Sequence, residues 1–336
     1  MKTSCLVNNY NYAPYVVQAI DSALDQTVPF DEIIVVDDGS TDGSLDLLWQ
    51  RYGGDSRVVL ISKTNEGQVS CLNEGFRASS GDLVFFLDAD DLYEPQYLEQ
   101  ALRAYEHPDH CDCLLAAHRK YDGSPLRPLA DSQRCVDLGY SVVLTLFARE
   151  WVGAPTSCLS MRRGLLSSIL PVPYLVDWRL RADDCLVFGS SLAGGRKFRL
   201  ESPLVRYRVH GGNRFAGRPY DKFDDYRRKL AVNRLFALMT TRLGYDVPRL
   251  RDFAHREFRT VQRPTLRQLR QYAGIALGAK ASLPRKAGML LSMAKYVAWD
   301  CRRRRGHALQ VPLAPRRTAT SRVSSPADSR AVQSAA

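Results

Sequence analysis

The chain has 336 residues, of which 45% are hydrophobic and 25% charged, a balance that supports a packed core and excludes disorder throughout. Its net charge of +11 is unevenly placed: the sequence through Arg214 carries −7, and the remainder from Phe215 carries +18. The two parts therefore face different surroundings.

In chain order, short apolar runs at Cys5–Val7, Ile33–Val36, Val58–Ile61 and Leu83–Leu87 read as strands buried on both faces. Between them Val16, Val17, Ile20, Ala23 and Leu24, then Leu45, Leu48 and Trp49, then Val69, Leu72 and Phe76 recur at helical spacing. This alternation predicts an α/β fold with a mainly parallel sheet flanked by helices. Asp42 or Ser40 is expected to cap the second helix, and Pro95 to sit in the first turn of the helix after the fourth strand. Past Asp112 the order is less regular, with a strand expected around Leu114–His118, a helix around Asp184–Leu192 and a strand over Phe198–Val209. Beyond Gly211-Gly212 the sequence is basic and helix-rich, and from Gly306 it lacks periodic apolar residues, the composition of a disordered tail. These shifts predict a domain over 1–214, a helical basic extension over 215–305 and a disordered tail over 306–336.

No positively charged and apolar leader opens the chain, and eight cysteines lie scattered without C-x-x-C spacing. Reduced core thiols in the cytoplasm are the expectation. Cys111 and Cys113 alternate across a strand, which argues against a metal pair.

In a parallel sheet, ligands bind outside the carboxyl ends of the strands. Two acidic clusters fall there: Asp37-Asp38 after the second strand and Asp88-Ala89-Asp90-Asp91 after the fourth. Carboxylates so crowded repel one another unless a cation compensates, and Mg2+ or Mn2+ is commonly held by one or two carboxylates plus substrate phosphates. The competing reading is a solvated turn capping the next helix. It is weakened by the apolar run Leu83–Leu87, which drives the cluster to a strand terminus, and by the second acidic pair.

The segments Asn9-Tyr10-Asn11-Tyr12, Val35-Val36-Asp37-Asp38-Gly39-Ser40-Thr41-Asp42, Asn65-Glu66-Gly67, Leu72-Asn73-Glu74-Gly75 and Leu87-Asp88-Ala89-Asp90-Asp91 resemble, in order, those of the family 2 glycosyltransferases of GT-A fold. The resemblance covers roughly the first third of the chain. It implies an inverting transfer of a sugar from a nucleotide-sugar donor, most often a UDP-sugar, to an acceptor hydroxyl, with Mg2+ or Mn2+, in the assembly of cell-surface polysaccharide or glycolipid. By position it implies that Asp38, with Asp37 as a second candidate, meets the base. Asp88 would contact the ribose or sugar and Asp90 would ligate the metal, while Asn9 and Tyr10 line the nucleotide pocket. Asn65, Gly67 and Ala89 of the same motifs fall at the nucleotide-sugar. The family usually carries Pro where Asn8 or Asn9 stands.

Such a transfer also needs a base for the acceptor hydroxyl. Asp183-Asp184 precedes a helical pattern closed by Gly194-Gly195, which by itself is an ordinary capping pair. The segment resembles the family's acidic motif, in which an Asp is the base. A gapless count from Gly194 favours Asp183, while Ala182 replaces the usual Glu, so both aspartates are candidates. Tyr207-Arg208-Val209-His210-Gly211-Gly212-Asn213 resembles the family pattern that closes over the diphosphate, implying that Arg208 forks onto phosphate and His210 joins the metal.

Met289–Trp299 forms a mostly apolar helical stretch interrupted by Lys295 and flanked by Arg285-Lys286 and Arg302–Arg305, too short to span a bilayer. It suits a core helix or an interfacial helix on an anionic membrane surface, as a peripheral protein acting on a glycan or lipid-linked acceptor would use. Aromatic residues are not interleaved with the Arg run, which argues against nucleic acid. A non-catalytic scaffold with the same fold is the alternative. A sugar nucleotidyltransferase is a weaker one, because no glycine precedes Gly39 to form its triphosphate loop.

Overall fold

The register of three neighbouring strands decides where polar chemistry can gather. In the computed structural model, which describes residues 1–124, 134–211 and 221–306 (side chains through 300), β1 (Thr3–Asn9) lies between β2 (Glu32–Asp37) and β4 (Leu83–Asp88). Asn9 pairs in register with Asp37, and Asn8 with Asp88, so both acidic clusters leave the sheet at one edge, side by side. β3 (Val58–Ser62) extends the parallel set beyond β2.

The apolar runs predicted these strands to within two residues because both faces of the sheet are covered. Cys5, Val7, Ile33, Val35, Phe85 and Leu87 enter one core, while Leu6, Ile34, Val36, Val84 and Phe86 enter the other, the alternation a pleated strand imposes. Each fully buried Phe or Leu contributes about 1.5–3 kcal/mol. The first core lies under α1 (Ala13–Leu24) and α2 (Ser44–Tyr52), and the second under α3 (Gln68–Ala78).

Beyond β4 the sheet changes character. After β5 (Leu92–Tyr93) and α4 (Tyr97–Tyr105), β6 (Cys113–Tyr121) and β7 (Cys135–Gly139) precede α5 (Val142–Ala148). Then come β8 (Leu159–Arg162), α6 (Arg163–Ser167), α7 (Ala182–Leu192) and β9 (Lys197–Arg208). β8 runs antiparallel to β4 and β6, β6 and β9 are parallel, and β5 and β7 are antiparallel to β9. The sheet is thus parallel through its first four strands and mixed thereafter. Cys111 and Cys113 enter opposite cores.

Two local expectations need correction. Pro95 precedes α4 by two residues instead of entering its first turn, because Gln96 occupies the N-cap. Asp42 does bond the first N–H of α2 at 3.0 Å, but from outside the cap, which is Gly43 at φ +84°, and Ser40 turns to Asp37 instead.

The C-terminal helices are α8 (Lys222–Arg242), α9 (Val247–Leu250), α10 (Ala254–Phe258), α11 (Leu266–Leu277) and α12 (Leu283–Gly306). α8 joins the second core through Leu235, Phe236 and Met239, beside Phe188 and Leu192 of α7. The others build a third core around Phe258, Tyr272, Met289 and Met293, fastened to α5 where the buried Glu257 carboxylate accepts the Val143 and Leu144 N–H groups at 2.8 and 3.0 Å. No helix among the described residues is long and apolar enough to cross a membrane. Gly212, Asn213 and the tail from residue 307 lie outside the described residues.

Candidate active site

A cleft of about 280 Å3 opens at the carboxyl edge of β1, β2 and β4. Of the residues expected at the nucleotide-sugar or metal, Asn9, Tyr10, Asp38, Asn65, Gly67, Asp88, Ala89 and Asp90 line it. Asn8 and Asn9, both in the cleft lining, each keep a buried side-chain oxygen with no hydrogen-bond partner.

Asp37 does not line the cleft. Its carboxylate takes the Asn9 amide at 2.7 Å and the Ser40 hydroxyl and N–H at 2.6 and 2.9 Å, so it braces the loop that presents Asn9. Asp38 reaches the cleft wall while accepting from Lys63 Nζ at 2.8 Å and from the Glu66 and Gly67 N–H groups at 3.0 and 2.7 Å. These bonds close the Asn65–Gly67 loop over the sheet edge. Gly67 must be glycine here: its φ is +97°, and an added Cβ would lie 2.3 Å from the Arg179 Cα.

After β4 the acids divide in function. Asp91 is buried and fully engaged, accepting the Ser157 hydroxyl at 2.6 Å and the Arg208 N–H at 2.8 Å. Ser157 in turn accepts the Asp88 N–H at 3.0 Å. Arg208 donates Nε to the Asp90 carbonyl at 2.7 Å and a terminal nitrogen to Gln18 at 2.8 Å, which places it behind the acidic loop and off the cleft wall. His210 sets Nε2 3.1 Å from Asp90 Oδ2, its ring against Tyr12 and Tyr15. Burial, and next the charge of Asp90, raise the Asp88 carboxyl above its usual range. Burial, then Asp90 and Asp88, raise Asp91 as well. Burial and like charge thus both oppose ionisation of Asp88 and Asp91.

Among the described residues no group of three His, Cys, Asp or Glu side chains could hold a metal ion. Asp90 lines the cleft, and His210, outside its lining, reaches Asp90 and makes with it a two-donor pair. That donor set fits a hard cation that completes its shell with substrate phosphate and water.

Asp183 and Asp184 start α7, entered through Arg181 in the left-handed conformation at φ +63°. Asp184 is wholly buried and neutralised: Arg228 of α8 grips it with Nε and Nη2 at 2.7 and 2.9 Å, and Arg181 Nε lies at 3.1 Å. Asp183 is half-buried and accepts the Asp184 N–H at 3.0 Å. No cation among the described residues comes within ion-pair distance of it. Burial first, and the charge of Asp184 second, push the Asp183 carboxyl up to about 6. Its charge also contributes to raising Asp88, so the two acids sense each other across the acidic end of the sheet.

Gln68 links these parts and was not singled out by the sequence. Its Nε2 donates to Asp88 at 2.8 Å and its Oε1 accepts the Ala182 N–H at 3.0 Å, joining the acidic loop to the start of α7. Arg179 bonds Asn65 and, with Leu180, Arg181 and Tyr207, completes the cleft wall. The only sequence signal for Gln68 was its place directly after the Asn65-Glu66-Gly67 motif, and Ser157 and Arg228 had none.

A parallel four-strand half, a mixed continuation and an acidic crevice at the strand ends define the GT-A type of nucleotide-diphospho-sugar transferase fold. The crystal structure of S. aureus TarS 1-349 in complex with UDP-GlcNAc shares it, with a TM-score of 0.53 and 17% identity over 91% of this chain and 93% of that one. The model of the glycosyl transferase family 2 matches residues 4–168, and together with the relatives and the fold it supports a family 2 glycosyltransferase. Relatives include an uncharacterized glycosyltransferase of Nostoc sp., 35% identical over 63% of this chain and 66% of that protein. EpsH of Bacillus subtilis is 36% identical over 62% and 60%. The chain thus spans just under two thirds of the length of these two relatives.

Proposed function

We propose that the protein is an inverting, metal-dependent glycosyltransferase that transfers a sugar from a nucleotide-sugar, a UDP-sugar by the motif resemblance, to an acceptor hydroxyl. The observation that carries this reading is the contrast at the start of α7: Asp184 is paired with two guanidiniums, while Asp183 makes no ion pair among the described residues and its charge acts on Asp88.

In this reading Asn9, Tyr10, Asp38, Asn65 and Gly67 seat the nucleotide, and Asp88 and Ala89 meet the ribose or sugar. Asp37 acts by positioning Asn9, and Arg208 by holding the Asp90 carbonyl. Asp90 and His210 would hold Mg2+ or Mn2+, which when bound neutralises charge developing on the leaving diphosphate. Asp183 takes the proton of the acceptor hydroxyl as its oxygen bonds to the anomeric carbon. The bond from that carbon to the diphosphate oxygen breaks, its electron pair leaving with the nucleotide, and a single displacement inverts the centre. A carboxylate raised to about 6 is charged at neutral pH yet more basic than an ordinary aspartate, the balance a general base requires.

We propose residues 1–214 as the catalytic unit, completed by Arg228 from the 215–305 extension. The setting we propose is the cytoplasm, with a glycan or lipid-linked acceptor; seven described cysteines, none in a disulfide, suit a reducing compartment.

The test is Asp90→Ala, assayed for donor hydrolysis and transfer over a panel of nucleotide-sugars with Mn2+ or Mg2+. Both activities are expected to vanish while the melting temperature holds, and full turnover in the variant would remove the metal assignment.

A further inference from the structure

The helix α12 is seated by one face and bare on another. Met289 and Met293 anchor it in the third core against Phe258 and Tyr272. On the outer side Leu283, Ala287, Leu291, Ala294 and Ala298 follow one another at helical spacing, all exposed. Leu283 is 81%, Leu291 55% and the neighbouring Trp299 51% exposed, a large apolar display for one helix.

Beside this stripe runs a groove of about 790 Å3 between α10 and α12. Arg256, Arg259 and Lys295 rim it, and the Tyr296 and Trp299 rings, stacked 5.8 Å apart, form its aromatic wall. Among the described residues, none of these three cations has a carboxylate within ion-pair distance, unlike Arg285, which is tied to Asp252 at 3.0 Å. Over residues 283–306 the sequence carries a net charge of +6.

We propose that α12 and this groove form a docking face for an anionic lipid bilayer, with Leu283, Leu291 and Trp299 entering the interface and the groove taking a lipid phosphate. The charge selects the occupant. A second copy of the chain would set one +6 helix against another, and a nucleic acid would gain nothing from burying leucines. A bilayer with anionic headgroups satisfies both halves, because cations gain near its surface and apolar side chains gain within its boundary. A Trp flanked by Arg and Lys is the side chain that settles at headgroup depth. This inference uses none of the residues assigned to sugar transfer, so it stands or falls separately.

The experiment is co-sedimentation of the full chain with vesicles of phosphatidylcholine, with and without phosphatidylglycerol, with tryptophan fluorescence read in parallel. Binding is expected only to the anionic vesicles and to weaken as salt rises. The triple variant Arg256→Ser, Arg259→Ser, Lys295→Ser is expected to partition about a hundredfold less, about fivefold per cation. Leu283→Asp with Leu291→Asp should also abolish binding, and Trp299→Phe should erase the fluorescence blue shift while binding persists. All these positions are exposed, and unchanged melting temperatures verify folding. Equal binding to uncharged vesicles, or wild-type binding in both the charge and leucine variants, overturns the proposal. So does self-association through Leu291, or capture of nucleic acid by the same cations, without vesicle binding.

Discussion

Asn substitutions at the two aspartates that open α7 should move stability in opposite directions. Asp184 is wholly buried against Arg228 and Arg181, so Asp184→Asn leaves two guanidiniums facing a neutral amide. Breaking a buried pair of this kind costs about 3–5 kcal/mol, and at about 2–4 °C per kcal/mol the melting temperature should fall on the order of 10 °C. Asp183 behaves in the reverse sense. Its folded carboxyl, raised from 3.8 to about 6, favours the protonated form, so its contribution to stability is full below pH 3.8 and is lost as pH rises through 6. That climb corresponds to about 3 kcal/mol, and solvent screening of a half-buried group reduces it to about 1–2 kcal/mol. Asp183→Asn imitates the protonated form, so at pH 7.5 it should melt a few degrees above the parent, the gap closing near pH 4. Its turnover should fall about 10²–10⁴-fold. In the parent protein kcat/KM should climb with pH through about 6. In Asp184→Asn that limb should move to lower pH, since a charge raising Asp183 is gone. Calorimetry across pH and donor-consumption kinetics test this directly. An Asp184→Asn protein that melts normally but is inactive, beside an active Asp183→Asn protein, would refute the assignment of base and anchor.

Two further substitutions probe the cleft wall. Gly67→Ala forces a Cβ to 2.3 Å from the Arg179 Cα at a left-handed φ, and should destabilise by about 2–4 kcal/mol and abolish nucleotide binding by titration calorimetry. Gln68→Leu removes the bonds to Asp88 and Ala182 and should cost about 1–3 kcal/mol in thermal melts, with KM for the donor rising, since it frees the acidic loop from α7.

The first half of the fold was legible because its strands are buried on both faces: an unbroken apolar run such as Leu83–Leu87 has one reading when helices flank it. The register that sets Asn8 beside Asp88 follows from those runs ending together. The second half hid its elements. β5 is two residues and β8 four, too short to show a period, and they are strands because β9 and β4 lie next to them. The site divided along the same line. Acids at strand ends announced themselves, but between Asp183 and Asp184 the order of residues offered only a count from Gly194 that favoured Asp183, with no physical reason behind it. The distinction comes from Arg228, 44 positions away from Asp184. Asp37 and Asp38 are adjacent in sequence, yet one braces Asn9 from behind and the other faces the cleft, because consecutive residues at a strand end point to opposite sides.

The acidic loop is clamped at several points. Asp91 is bound to Ser157 and Arg208, and just beyond it Glu94 accepts Arg206 at 2.8 and 2.9 Å while its carbonyl takes the Gln26 amide at 2.9 Å. Its like charges therefore cannot relax by drifting apart, and the tension among them is paid at folding and kept. On the proposed function, a cation arriving there would discharge part of that tension, and a diphosphate that followed would meet a less hostile surface. Cation and donor would then bind cooperatively, each improving the other's hold by the same factor.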